Sequence, residues 1–391
     1  MQALLTCCCG VDVHDEMIET CILKGLGDEP EIIRKQFGTR PLELKEFAEH
    51  LTEQGCSTVA MESTGVFWRP VYEIIEDNCS CVDDIVVTNA AHMNNVPGRK
   101  NDEDDAEWIA TLLRHGLLDA SFVPERIFRD LREASRLYKK FVGERSRYTN
   151  RIMKLLQAHG FKLSNVLSDI LGASGRNILH ILAERGSLSA HEVATCIRGR
   201  TKHSYKEIHS AVSGSLNPNE QNLLSILLSK IYTAERDMST IIALMTDMAS
   251  EFERQLDIAD SLPGIDRLAA LLILAEISAA PHLSFDSAAK LCKWAGLTPR
   301  NDMSAGKTKS KRILPGNPYV KSILCQAAWA AVKSRNNPFR DWFWSHRHRG
   351  DKKAIIAVAG KLMTTLYALL RDDALYDNEY SVRYTAKTYT T

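Results

Sequence analysis

Two long segments constrain the fold most strongly. Neither contains proline, and together they contain one glycine. They are residues 127–157 and 221–252, and both are rich in Leu, Ile, Arg and Lys. Helical patterns of this length are typical of an antiparallel helical hairpin or a coiled coil. Glycine and serine residues interrupt the chain between residues 160 and 218, which predicts shorter helices at the tip of the hairpin. We therefore expect a long helical arm in the middle of the chain.

Ahead of this arm, strand and helix patterns alternate. Four β-prone apolar runs predict strands, the first two as a hairpin: residues 4–13, 17–24, 57–61 and 84–88. Helical periodicity covers three segments: residues 41–54, 67–76 and 102–115. Strands followed by helix–strand alternation indicate a mixed sheet flanked by helices. The expected fold class is α/β plus α.

Behind the arm, the pattern is mostly helical to residue 373, and the tail is polar. We expect a chain of four parts, in the order mixed-sheet domain, helical coiled-coil arm, mostly helical C-terminal domain and polar tail. Their predicted bounds are residues 1–124, 125–255, 256–375 and 376–391.

Composition excludes several classes of protein. The 391 residues are 45% apolar and 25% charged, unlike a disordered chain or a small disulfide-stapled scaffold. The ten cysteines show no paired zinc-ligand spacing, so we expect reduced thiols, most of them buried. No segment approaches the roughly 20 apolar residues of a membrane span, and the N-terminus lacks a signal-peptide pattern. We expect a cytoplasmic protein without membrane association.

The net charge of zero conceals a strong asymmetry along the chain. Residues 1–124 hold 9 Lys and Arg against 23 Asp and Glu, and the remainder holds 40 against 26. Residues 293–353 hold 14 basic and 3 acidic side chains. This division fits a cation site in the first part and a polyanion-binding surface in the rest. It equally fits two solvated surfaces of opposite sign, so charge alone leaves both open.

Four carboxylates in the first part lie where a metal site would need them. Asp12 interrupts an apolar strand, and Glu62 ends another strand before a turn. Asp102 and Asp105 are three residues apart at a predicted helix start, so both project from one face. Grouped carboxylates repel one another, and two Mg²⁺ ions about 3.5–4 Å apart would relieve this and polarise a phosphate. The ordinary alternative is that Asp102 and Asp105 only stabilise a helix N-terminus.

The C-terminal part holds a turn and a loop suited to DNA phosphates. Leu262-Pro263-Gly264-Ile265 precedes an apolar helix, as in a helix-hairpin-helix half, whose backbone N–H groups near Gly264 can hold a phosphate. Ser304 lies between small residues in a predicted mobile loop, where its hydroxyl can act as a nucleophile. Lys307 can neutralise the charge of the phosphate. A plain turn, a plain loop serine and a solvated lysine are the alternatives.

Aromatic and basic side chains alternate at residues 342–349. This segment can stack bases and neutralise phosphates, with Arg347 and Arg349 as the contacts. We favour a core position for its tryptophans, with the Arg and His side chains facing outward. Residues 125–154 hold ten basic and four acidic residues, which fits contact with a DNA or RNA backbone or a solvated coiled-coil face.

The motifs at both ends of the chain resemble one family. The sequences around the four carboxylates resemble the RuvC-like, RNase H-fold core of the DEDD transposases of bacterial insertion sequences (insertion sequence family 110, the bridge-RNA-guided recombinases). The matching N-terminal motifs are Gly10-Val11-Asp12-Val13-His14, Glu62-Ser63-Thr64-Gly65 and residues 98–116. Five C-terminal motifs are similar to the same family in the same order: residues 294–299, Ser304-Ala305-Gly306-Lys307, residues 316–319, residues 327–331 and residues 349–354.

The resemblance implies a transposase that recombines DNA. It implies Mg²⁺, as two ions, held by Asp12, Glu62, Asp102 and Asp105, and attack on DNA by Ser304 to give a phosphoserine link. It also implies donor and target DNA, a structured bridge RNA, and a homo-oligomer (dimer or tetramer) with composite active sites in the bacterial cytoplasm. The predicted nucleic-acid contacts are Gly264, Lys307, Lys309, Lys311, Arg312, Asn317, Arg347 and Arg349.

Two alternatives belong to other functional classes. The first is a RuvC-like structure-specific endonuclease that hydrolyses DNA with water, in which Ser304 takes no part. The second is a catalytically inactive nucleic-acid-binding relative.

Overall fold

A five-stranded mixed sheet forms the first of two compact units, which ends at Val123. The structure is a computed structural model that describes residues 3–27, 29–63, 65–89, 105–299, 302–304, 307–310 and 312–377. The strands are β1 (Cys7–Val13), β2 (Met17–Lys24), β3 (Glu31–Gly38), β4 (Thr58–Glu62) and β5 (Asp84–Thr88). Their order across the sheet is β3-β2-β1-β4-β5. β1, β2 and β3 pair antiparallel, whereas β4 and β5 run parallel to β1.

In the part of this unit that the structure describes, three helices cover the two faces of the sheet. They are α1 (Pro41–Gln54), α2 (Trp68–Asn78) and α3 (Asp105–Arg114). Successive residues of a strand face opposite sides. Val11 therefore packs in one core with Phe47 and Val71 from α1 and α2. The alternate residues of β1 face the other side of the sheet, where Cys8 packs in a second core with Ala110 of α3.

The predicted elements of this unit are confirmed where they are described, and one strand was missed. The first three residues of the predicted helix 102–115 lie outside the described residues. The β1–β2 hairpin, the strands β4 and β5 and the helices α1 and α2 lie within two residues of their predicted positions, except at the start of β1. β3 was not predicted. All ten cysteines are free thiols and eight are buried, as expected from their spacing.

The second unit begins at Pro124 with the predicted arm. Its two long helices are α4 (Arg126–Ala158) and α9 (Pro218–Met248). Arg145 pairs with Glu235 at 2.7 Å, and His159 pairs with Glu220 at 3.2 Å, so the two helices run antiparallel. The tip between them holds four shorter helices: α5 (Leu163–Val166), α6 (Ala173–Arg185), α7 (Ala190–Cys196) and α8 (Tyr205–Ala211). The helical hairpin with a helical tip is thus confirmed.

The remainder of this unit is mostly helical, as expected. A single 3₁₀ turn (Ser250–Phe252) leads into α10 (Glu253–Asp260), α11 (Arg267–Ile277), α12 (Pro281–Ser284) and α13 (Ala288–Trp294). A short antiparallel pair follows, β6 (Asp302–Ser304) with β7 (Lys307–Ser310). The last helices are α14 (Pro318–Lys333), α15 (Pro338–His346), a 3₁₀ turn (Arg347–Arg349) and α16 (Asp351–Asp372). The predicted boundary between the arm and a C-terminal domain stays a prediction.

Two helical stretches of the described chain are long and apolar enough to cross a membrane: Arg267–Ser284 and Asp351–Asp372. However, 56% and 67% of their windows are buried inside the fold, and buried core helices share this composition. Length and composition alone are weak evidence for a membrane span.

Candidate active site and nucleic-acid interface

The sheet places Asp12 and Glu62 side by side. β1 and β4 are parallel neighbours, and Val11 pairs in register with Met61, one residue before each carboxylate. Strand alternation puts both side chains on the face that α3 covers. The two predicted residues therefore come from adjacent strand ends on one face of the sheet.

Gly10 allows α3 to lie close to β1 beside Asp12. A Cβ atom at Gly10 would lie 2.1 Å from the carbonyl oxygen of Ala106 and 2.4 Å from the backbone nitrogen of Ala110. Any larger residue would therefore push the helix away from β1. Asp105 is the first described residue of α3, and its charge acts on the carboxylate of Asp12.

The three carboxylates act on one another electrostatically. Burial raises the pKa of Asp12, and the negative charges of Asp105 and Glu62 raise this pKa further. His14 opposes the rise through its charge and through a hydrogen bond. The raised pKa means that the ionised carboxylate of Asp12 is destabilised. A cation at this position would relieve the repulsion among the carboxylates.

His14 is a residue of this cluster that the sequence reading missed. Its Nε2 donates to Oδ2 of Asp12 at 2.9 Å, and its side chain is 54% exposed against 17% for Asp12. The predicted hairpin places His14 only between its two strands, residues 4–13 and 17–24. Its position two residues after Asp12, directly after the end of β1, is the signal in the sequence.

The chemistry of these side chains fits a hard divalent cation, for which carboxylate oxygens are the usual ligands. Within the described residues, no group of three or more His, Cys, Asp or Glu side chains is close enough together to hold a metal ion. Asp102, the fourth predicted ligand, lies outside the described residues. The described part of the cluster thus contains carboxylate ligands that repel one another, but it does not form a complete coordination site.

Ser304 ends β6 and pairs in register with Lys307 of β7. Lys309 also lies in β7, and Arg312 follows shortly after it. Lys311 lies outside the described residues. The expected loop position of Ser304 is therefore wrong, because Ser304 and Lys307 are the paired end residues of two antiparallel strands. Residues 305 and 306 of the motif lie outside the described residues.

Gly264 forms the turn between α10 and α11, as the helix-hairpin-helix pattern predicts. Its φ is +86°, a left-handed conformation that favours glycine. A Cβ atom here would lie 2.2 Å from the carbonyl oxygen of Ala327 in α14. The N–H of Ile265 donates to the carbonyl of Leu262 at 3.1 Å. Close packing and turn geometry thus account for this glycine, and a phosphate contact stays a prediction.

Asn317 has structural partners within the fold. Its Oδ1 accepts the N–H groups of Tyr319 and Val320 at the start of α14. Its Nδ2 donates to Glu276 at 2.7 Å. A direct contact between Asn317 and nucleic acid stays a prediction.

Glu276 joins three helices, although it is fully buried. Arg136 of α4 donates to both carboxylate oxygens, at 3.0 and 3.1 Å. Arg132 contacts the same carboxylate at 3.3 Å, and burial lowers the pKa of Arg132 to about 10. A single Glu within the apolar run of α11 is the sequence signal that marks this network. The network ties the base of the arm to α11 and to the start of α14.

Comparison with known protein families covers both ends of the chain. The family model of IS110-type DEDD transposases, described as a transposase, matches residues 9–160. A second model, described as transposase IS116/IS110/IS902 family, matches residues 256–343. The chain belongs to the IS110 family of transposases. No curated protein matches it.

Membership of the IS110 family implies DNA as the substrate and DNA cleavage or recombination as the general activity. The first match includes all four predicted carboxylates, and the second includes Gly264, Ser304 and Asn317. Residues 161–255 of this transposase lie outside both matches.

In the transposase, α15 and the turn after it present aromatic and basic side chains. Phe343 is buried, but Trp344 is 49% exposed and Trp342 is only partly buried, so the core position favoured for the tryptophans is wrong for both. The guanidinium of Arg347 lies 4.7 Å from the centre of the Trp344 ring and pairs with Asp351 at 3.3 Å. Arg349 ends this turn. An exposed indole beside an arginine suits stacking against a base.

Proposed function

We propose that this IS110 transposase is a site-specific DNA recombinase that uses Mg²⁺ and a serine nucleophile. The observation that supports this most directly is the electrostatic grouping of Asp12, Glu62 and Asp105 on one face of the sheet. Two adjacent parallel strands carry a carboxylate at or next to their last residue, Asp12 in β1 and Glu62 in β4, and β1 lies at the centre of the sheet. This arrangement also supports an RNase H-like, RuvC-like fold for residues 1–124.

Asp12, Glu62, Asp102 and Asp105 would hold the divalent ions in this proposal. When bound, these ions supply charge stabilisation to a phosphate and to the attacking and leaving oxygens. His14 keeps the Asp12 carboxylate oriented through its hydrogen bond. Gly10 lets α3 lie close to β1 at this carboxylate, because it places no side chain against the backbone of Ala106 and Ala110.

Ser304 supplies the nucleophile. Its Oγ loses a proton and forms a bond to the phosphorus, while a bridging P–O bond breaks and the DNA oxygen leaves as a hydroxyl. The phosphoester energy is kept in the serine link, so a DNA hydroxyl can reverse the attack and join a new strand. Lys307, paired with Ser304 across the hairpin, would neutralise phosphate charge.

The partners we propose are donor and target DNA, a structured guide RNA, and further copies of the chain in a dimer or tetramer with shared active sites. The 14 basic and 3 acidic side chains of residues 293–353 support polyanion binding. Sequencing RNA that copurifies with the protein tests whether it binds a structured guide RNA. The proposed location is the bacterial cytoplasm.

Covalent trapping tests the reaction. Wild-type protein is incubated with labelled donor and target DNA, copurified RNA and Mg²⁺, and the products are separated on a denaturing gel. We expect a protein–DNA adduct that disappears in Ser304→Ala and persists in Ser310→Ala, a matched control in the same hairpin. Free nicked DNA that Ser304→Ala forms equally well would contradict the proposal and indicate a hydrolytic nuclease.

A further inference from the structure

The tip of the arm, residues 159–217, is a separate structural feature of this transposase. The family matches end at residue 160 and resume at residue 256, so almost all of the tip lies between them. α5 to α8 pack with the ends of α4 and α9 around one apolar core, which includes Ile178, Ile208 and Val212. The tip is therefore an ordered module, and the reaction proposed above gives no role to its surface.

A cavity of about 550 Å³ with several charged side chains in its lining lies at this tip. The loop Arg198–His203 lines one part, and residues 164–169 and the start of α6 line the rest. Arg198, Arg200 and Lys202 bring three cations to the lining, against the single carboxylate of Asp169. The cavity therefore has a net positive lining.

Hydrogen bonds fix this loop to the start of α6. Oγ of Ser174 accepts the N–H of Arg198 at 2.7 Å, and Nδ2 of Asn177 donates to the carbonyl of Cys196 at 3.1 Å. The helix α6 has Gly172 as its N-cap, without a side-chain cap. The N–H groups of its first turn add partial positive charge to the same wall.

Arg200 and Lys202 are exposed and form no ion pair or hydrogen bond with any other described residue. Other arginines of the tip differ in this respect, because Arg185 pairs with Glu192 and Arg176 pairs with Glu235. Two unpaired cations in one cavity wall repel each other unless an anion joins them. Tyr205, close to the loop, is 55% exposed and offers a ring for stacking.

We propose that this cavity binds the phosphodiester backbone of a nucleic acid, with Arg200 and Lys202 as its principal contacts. Two cations, helix N–H groups and a nearby tyrosine match a phosphate flanked by a base. The proposal goes beyond the recombination reaction and does not depend on Ser304 or on the carboxylates.

Binding measurements on the full-length protein test this site. The double variant Arg200→Ala/Lys202→Ala is compared with Lys206→Ala/Lys230→Ala, which removes the same charge from exposed positions of α8 and α9 outside the cavity. Affinity for a duplex DNA and for a single-stranded RNA of equal length is measured over a series of salt concentrations. The charge-preserving variant Arg200→Lys/Lys202→Arg confirms that charge, and not folding, is measured.

We expect the cavity variant to bind its nucleic acid on the order of tenfold more weakly. The salt slope should fall by about 1.8 for duplex DNA or about 1.4 for a single strand, because two phosphate contacts are lost. The control and the charge-preserving variant should bind like wild type. A loss with one probe alone supports the site and identifies DNA or RNA as its ligand.

Equal affinity of the cavity and control variants for both probes would overturn the proposal. Failure of the proposed reaction is seen separately, because Ser304→Ala alters covalent products and leaves binding at the tip unchanged.

Discussion

Nε2 of His14 donates a hydrogen bond to Oδ2 of Asp12 at 2.9 Å, on the sheet face where Asp105 and Glu62 raise the pKa of Asp12. The histidine therefore offsets part of the repulsion among carboxylates that would otherwise destabilise the ionised Asp12. A bound cation would reduce the repulsion among these carboxylates, so its effect on the stability of the protein can be measured.

Asp12→Asn should raise stability at neutral pH in the absence of divalent ions. The pKa of Asp12 is raised in the folded state, so ionisation above the unfolded value of 3.8 costs stability, and this cost disappears as the pH falls. Mg²⁺ at ten times its dissociation constant should stabilise the wild type by about 1.4 kcal/mol and the variant by less. Thermal unfolding with and without Mg²⁺ measures both effects. Equal Mg²⁺ stabilisation of the two proteins would contradict the metal assignment.

Gly10→Ala should impair both stability and DNA cleavage. The new Cβ would clash with the backbone of Ala106, so α3 must move and carry Asp105 away from Asp12. Overpacking of this kind costs about 1–3 kcal/mol. Gly27→Ala is the control, because a Cβ there has no neighbour closer than 4.0 Å. Urea unfolding and the adduct assay are the measurements, and wild-type activity of Gly10→Ala would show that the close contact is unnecessary.

The elements that the sequence predicted well are those with a regular hydrophobic period. The hairpin β1–β2, the helix α1 and the long helices of the arm all bury one face, so their periodicity is visible in the sequence. β3 was missed because it is an edge strand, and of its eight residues only Phe37 is buried. β6 and β7 were missed because they are short and polar, so their sequences show no strand pattern. The backbone pairing between them defines them as strands.

The candidate site was predictable only in part, for the same kind of reason. Asp12 and Glu62 stand out because they interrupt or end apolar strands, and Asp105 because it opens a helix. Their convergence depends on how closely α3 packs on Gly10, which is a tertiary contact. The partnership of Glu276 with Asn317, separated by 41 residues, was likewise not visible in any local pattern.

Glu276→Gln should destabilise the second unit strongly. The variant would leave Arg136 and Arg132 beside a buried neutral amide, and breaking a buried ion pair costs about 3–5 kcal/mol. Glu253→Gln is the matched control, since Glu253 pairs with Arg267 with its side chain 56% exposed, and should cost less than about 1 kcal/mol. Urea unfolding of both variants checks the difference. Similar unfolding midpoints would mean that the network contributes little.

Trp344→Ala should weaken nucleic-acid binding about tenfold, because a base stacked on an exposed aromatic ring contributes about 1–3 kcal/mol. Leu283→Ala removes another exposed apolar side chain, 78% exposed, and serves as the control. Fluorescence anisotropy with labelled DNA and RNA gives the affinities. If the two variants bind alike, the indole makes no base contact.

Mass spectrometry of the trapped adduct tests the central proposal most directly. Trypsin cleaves after Arg300 and Lys307, and the peptide between them contains Ser304 as its one serine. After nuclease digestion of the adduct, this peptide should carry the mass of a phosphorylated nucleotide remnant, with fragmentation placing it on Ser304. An unmodified peptide in a reaction that has accumulated cleaved DNA, or a nucleotide on another residue, would contradict the serine mechanism.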